Sequence, residues 1–180
     1  DYGLRGLATG HANFASALRH DPRGAVRACA RDDVPLLYWT AAAWAAAIGV
    51  KKDRPDLIAE LPQVEALLDR ALELDETFAG GALHSLLISF ESARAGGTGD
   101  AASRSRAHFE RAVALSGGRD ASPLVAFAEV VCVQQQDRAR FEAQLRQALA
   151  IDPDARPENR LVNVLMQRRA RWLIARTEEL

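Results

Sequence analysis

No stretch of this 180-residue chain alternates apolar and polar residues in the manner of a half-buried strand. A β-sheet fold is therefore not expected. Charge of one sign is also missing. The formal net charge is −1, and proteins that hold nucleic acid usually carry a basic excess, so nucleic acid is not expected as a partner. Lys51 and Lys52 are the only lysines among 23 basic residues. With the abundance of alanine, this reads as genome base composition and points to no function. Two cysteines, Cys29 and Cys132, are too few and too far apart for a metal-binding pair. They are either one bridge or two small buried hydrophobes. The four histidines (His11, His20, His84, His108) are dispersed, with no two a helical turn apart, so no metal site is expected. The nucleophile motif Gly-x-Ser-x-Gly is absent, as is any reactive-cysteine context, so an enzyme is not expected. Gly96-Gly97-Thr98-Gly99 has no strand before it and no Lys-Ser/Thr after it. It reads as a linker rather than a phosphate cradle. No cofactor is expected.

What the chain does have is one pattern used three times. Leu68-Asp69-Arg70-Ala71-Leu72-Glu73-Leu74-Asp75 is echoed by Phe109-Glu110-Arg111-Ala112-Val113-Ala114-Leu115-Ser116, and again by Leu145-Arg146-Gln147-Ala148-Leu149-Ala150-Ile151-Asp152. Each copy sets bulky apolar residues three before, one after and three after a small alanine. On a helix these positions share one stripe, and the alanine lets a neighbouring helix come close. The alanines are 41 and 36 residues apart, close to the ~34-residue tetratricopeptide period. The pattern predicts an all-α, tetratricopeptide-like helical repeat array of about nine helices in antiparallel pairs.

Proline and aspartate mark the helix starts. Asp21-Pro22 opens a short helix to about Arg31, and residues 1–32 read as N-terminal helices left from a decayed unit. Three irregular pairs follow over 33–153: Val34–Val50 with Pro62–Leu74, Ala79–Ala95 with Ala101–Leu115, and Pro123–Gln135 with Asp137–Ile151. A long helix over 157–180 caps the stack's apolar face, with Leu161, Leu165 and Trp172 as its stripe. The whole, 1–180, reads as a single helical-repeat domain. The chain begins at Asp1, and a further upstream segment is expected.

Two places could carry binding. Val34–Val50 has no charged residue, but its 17 residues fall short of the ~20 a spanning helix needs. A central helix buried on all sides is expected instead. Trp39 and Trp44 stand about 140° apart around it, so Tyr38, Trp39 and Trp44 either fill the core or line a cavity for an apolar ligand. His84, in an apolar helix, is a hydrogen-bonded core or groove residue. On the last helix Asn159, Asn163 and Gln167 recur every fourth position. Such an amide row is a surface feature, a set of bonds to neighbouring loops, or a polar strip in a cavity. The candidate ligand-binding set is therefore Tyr38, Trp39, Trp44, His84, Asn163 and Gln167.

The block Asp33-Val34-Pro35-Leu36-Leu37-Tyr38-Trp39-Thr40-Ala41-Ala42-Ala43-Trp44 is the most specific part of a wider likeness. Together with Leu61–Asp75, His108–Ala112, Arg160–Asn163 and Arg169–Leu173 it resembles the TatT family, the tetratricopeptide-repeat T components associated with TRAP (tripartite ATP-independent periplasmic) transporters. The likeness covers about residues 25–175. It implies an all-helical periplasmic protein, usually lipid-anchored at its N-terminus and homotrimeric. It also implies association with the TRAP solute-binding protein and help in uptake of a small hydrophobic or organic-acid ligand. Membrane contact is then made only through the lipid anchor, whose cysteine is not in this chain. The family brings no catalytic residues. A generic helical scaffold that captures a partner's peptide is the alternative. An Asn- and Arg-lined groove would favour that scaffold, and a closed aromatic channel would favour the transport reading.

Overall fold

The computed structural model describes residues 2–51, 53–94 and 100–179. The expected Gly96–Gly99 linker lies outside them. The described residues are helical, with no strand among them. Contacts gather into two compact units, Asp1–Phe78 and Ala79–Leu180. The boundary falls between the first and second of the expected helix pairs.

The first unit holds α1 (Tyr2–Gly10), α2 (Phe14–His20), α3 (Pro22–Val26), α4 (Val34–Val50), α5 (Pro55–Ile58) and α6 (Leu61–Leu74). Each of α3 to α6 carries proline in its first turn, where the missing N–H costs nothing. Asp21 caps α3 by accepting a hydrogen bond from Gly24 N. Helices α1 and α6 both pack on α4. At the first of these contacts Gly3 faces Thr40 so closely that any Cβ would strike its hydroxyl. Leu7, Phe14, Leu18, Leu37, Leu67 and Leu68 form the core between the helices.

Helix α4 matches its expected bounds but is not buried on all sides. Only Val34, Leu37, Thr40, Ala41 and Ile48 are buried. Leu36, Trp39, Ala43, Ala46, Ala47 and Val50 are exposed. The buried positions recur at three-, four- and seven-residue steps, one stripe turned toward α6 and α1. Among the described residues of its unit, no helix covers the opposite side beyond the approach of α1 at Gly6 to Leu36. With its short 3-10 lead-in (Arg31–Asp33), this segment is long and apolar enough to cross a membrane by length and composition alone, and 22% of its most apolar window is buried.

The second unit holds α7 (Ala82–Phe90), α8 (Ala101–Ser116), α9 (Ser122–Phe127), α10 (Arg138–Ala150) and α11 (Arg160–Ile174). Helix α7 starts later than the expected Ala79. Ala79, Gly80 and Gly81 all hold positive φ (47°, 68° and 94°), a left-handed run that a helix cannot include. The expected helix over 123–135 is α9 followed by a π-helical stretch, Ala128–Cys132. Asp100 and Asp137 cap α8 and α10 through hydrogen bonds from Ser103 N and Arg140 N. Helix α8 stops at left-handed Gly117, and Gly118 N closes the end on Val113 O. Ile88, Leu124, Phe127, Val131, Leu145 and Leu173 lie in one buried cluster.

The echoed alanines do what the pattern demands. Ala71, Ala112 and Ala148 are all buried, and α4 with α6, α7 with α8, and α9 with α10 pack as pairs. The last helix packs on α9 and α10, but not by the expected apolar stripe. Its buried positions are Asn163, Gln167, Ala170 and Leu173, while Leu161, Leu165 and Trp172 face outward. The amide row wins the inner face because the ends of α9 and α10 present backbone groups there, which need polar partners.

Candidate functional site

The exposed side of α4 is built from the sequence upward. An alanine-rich, charge-free segment makes a helix with little relief, and only its aromatic residues stand out. Trp39 is 64% exposed. Tyr38 is half-buried, edge-on to Trp39 at 5.0 Å and tilted against Phe78 at 5.4 Å. Trp44 is half-buried as well, and its Nε1 donates to Glu60 Oε2 at 2.7 Å. The candidate aromatics thus split: Tyr38 and Trp39 join Phe78, and Trp44 turns to Glu60 at the start of α6. The result is an apolar face with an aromatic anchor, the kind of surface that a partner helix or protein covers.

A groove of about 300 Å³ lies elsewhere in the same unit, beside α3 and α6. It is lined chiefly by Arg23, Arg27, Asp69, Arg70 and Glu73. Arg70 Nη2 donates to Cys29 O at 2.7 Å and Nη1 to Glu73 Oε2 at 3.1 Å. None of the candidate ligand residues lines it.

In the second unit His84 is buried and its Nδ1 meets His108 Nδ1 at 2.8 Å. One ring must donate and the other accept. Behind them Glu91, 2% exposed, sits 2.5 Å from Arg104 Nε, 3.1 Å from Arg94 Nε and 3.6 Å from His108 Nε2. Burial, with His84 next to it, holds His108 below the ordinary imidazole range, and Glu91 only partly opposes this. This is a polar network inside the α7–α8 pair. The other two candidates are bound to backbone. Asn163 Oδ1 accepts from Ala121 N at 2.9 Å and Nδ2 donates to Arg119 O at 3.0 Å. Gln167 Nε2 donates to Ile151 O at 2.6 Å and Ala148 O at 3.1 Å. The six candidates therefore do not converge on one cavity within either unit. Cys29 and Cys132 are both free and buried, and burial pushes both thiols up to about 11.

Spacing in the sequence conceals two clusters. His84 and Glu91 are seven apart and so share a helix face. That signal was available, but His108 reaches them from another helix. The second cluster, His11, Cys29 and Asp33, joins the α1–α2 and α3–α4 connections and has no periodic signature.

A family model described as TRAP transporter T-component matches residues 1–180, the whole chain. The chain belongs to the TRAP transporter T-component family. An uncharacterised protein of Treponema pallidum (strain Nichols) is 30% identical over 151 residues, which is 84% of this chain and 47% of that protein. The chain thus spans about half the length of that curated relative. In this T-component, the Tyr38–Trp44 block that carries the sequence likeness falls on the exposed helix. The Leu61–Asp75 and His108–Ala112 blocks fall on the helices whose alanines are buried.

Proposed function

We propose that this chain is a periplasmic accessory of a TRAP transporter, not an enzyme, that binds the transporter's solute-binding protein and assists uptake of a small hydrophobic or organic-acid ligand. The match of the family model to every residue carries the reading. The unpartnered apolar side of α4, with Trp39 at its centre, supports it, because a solvated protein gains by covering such a face. On this reading the working surface is Leu36, Trp39 and the exposed alanines, with Tyr38 bracing Trp39. His84, Asn163 and Gln167 serve the scaffold. The protein works as a homotrimer held to the membrane by a lipid on an upstream segment.

Sedimentation velocity of the chain alone, and mixed with the solute-binding protein of its own TRAP system, tests this. A trimer alone and a heavier species on mixing are expected. Trp39→Asp, with unchanged far-UV circular dichroism, should abolish one of the two. A folded monomer that ignores the binding protein refutes the reading. The alternative, a scaffold for a partner's peptide, draws on the arginine-lined groove beside α3 and α6. There, Arg27→Glu would weaken peptide capture while Trp39→Asp would not.

A further inference from the structure

Two connections of the first unit, α1–α2 and α3–α4, converge on one point that neither the aromatic face nor the groove uses. His11 follows α1, Cys29 follows α3, and Asp33 ends the turn before α4. One ligand atom from each, the imidazole nitrogen, the sulfur and a carboxylate oxygen, all lie within 4.8 Å of one another. His11 Nε2 and Asp33 Oδ2 are 2.9 Å apart. The Cys29 side chain is 1% exposed, and among the described residues its sulfur makes no hydrogen bond. A buried thiol without a hydrogen-bond partner, within 4.8 Å of both an imidazole nitrogen and a carboxylate oxygen, is more than a His–Asp pair requires.

We propose that His11, Cys29 and Asp33 bind a borderline divalent transition metal, Zn2+ by chemistry, with a fourth position open to water. Nitrogen, sulfur and oxygen together suit zinc, whereas Mg2+ and Ca2+ want oxygen donors only. Zinc bonds of about 2.0–2.3 Å put neighbouring tetrahedral ligands roughly 3.3–3.8 Å apart. The His11–Asp33 contact therefore opens by less than an ångström as the ion enters. Binding forms the three metal–ligand bonds and releases the thiol proton to solvent. The surrounding shell is in place: Ala30 N donates to Asp33 Oδ2 at 2.8 Å, and the Arg70 guanidinium holds the Cys29 carbonyl. His11 and Asp33 are 18% and 22% exposed, which gives the ion a way in. Filled, the site staples the end of α1 to the loop that launches α4.

Titration of the metal-free protein with Co2+ tests this, since a cobalt–thiolate bond gives a near-ultraviolet charge-transfer band. One equivalent should produce the band, and Zn2+ should remove it. Cys29→Ser should lose the band and Cys132→Ser keep it. His11→Gln and Asp33→Asn should each weaken binding tenfold or more. No band, or one that survives in Cys29→Ser, overturns the proposal. Should Cys29→Ser fail to fold, X-ray absorption at the zinc edge of the unmutated, zinc-loaded protein decides. One sulfur with nitrogen and oxygen neighbours supports the site, and a shell without sulfur overturns it.

Discussion

Replacing Gln167 by alanine should unfold the second unit more readily than any change to the apolar residues on the outside of the same helix. Gln167 Nε2 reaches the carbonyls of Ala148 and Ile151 at 3.1 and 2.6 Å. Both stand at the C-terminal end of α10, where Ala148 O otherwise accepts only a long 3.4 Å bond from Ile151 N and no helical N–H follows for Ile151 O. Alanine removes the side-chain donor from both carbonyls, and water has little access to the one on Ala148, which is 0% exposed beneath a Gln167 that is 5% exposed. An unsatisfied buried polar group costs ~1–3 kcal/mol. Two weakened acceptors and a small cavity together give about 2–4 kcal/mol. For a unit of roughly a hundred residues this lowers Tm by about 10–20 °C. Leu165→Ser on the same helix changes a side chain that is 49% exposed, and it should stay within about 0.5 kcal/mol. Thermal and urea unfolding followed by far-UV circular dichroism measure both. If Leu165→Ser is the more damaging variant, or Gln167→Ala is neutral, the amide row does not hold α11 to the unit and the assignment of its inner face is wrong.

Three further outcomes follow from particular contacts. Gly3→Ala puts a Cβ 1.9 Å from Thr40 Oγ1 and 2.9 Å from Thr40 Cβ; it should cost ~1–3 kcal/mol by overpacking. Adding Thr40→Ala should recover part of that loss in denaturant melts, and no recovery would count against this contact. His108, held below the usual imidazole pKa of 6.5, binds its proton more readily in the unfolded chain, so stability is full above about pH 6.5 and falls as pH drops toward the folded value. The groups around it are His84, Glu91 and Arg94 from the α7 side, with Arg104 of α8 paired to Glu91. His108→Asn should flatten this limb of the pH–Tm curve, and an unchanged slope would place the titration elsewhere. Cys132, buried with its thiol pushed up to about 11, should resist iodoacetamide at neutral pH in the native protein and react once urea unfolds it. Rapid native labelling, read by mass spectrometry, would contradict its burial.

The part of this fold that the sequence makes legible is the part written in contrast. Ala71, Ala112 and Ala148 each sit between bulky neighbours on a helix that also carries charges, so the inner face is marked, and all three are buried. Proline and aspartate likewise fixed the start of α4 at Val34, because their effect is local. The failures come where contrast vanishes or where the decisive partner is distant. Helix α4 is apolar around its whole circumference, so periodicity cannot say which side meets α6. Only the fold shows that the Leu37 side is covered and the Trp39 side is bare. Helix α11 inverts the usual rule. Hydrophobicity assigns Leu161, Leu165 and Trp172 to the interior, but the neighbouring backbone at residues 119–121 and 148–151 offers donors and acceptors that the helix ends leave poorly paired. A buried amide that meets them gains more than a leucine that would leave them stranded. The outward apolar residues are then surplus to the fold of this unit. The surfaces left bare on α4 and α11 are where the pattern of one chain stops being explained by that chain. They are the first places to look for what a T-component binds.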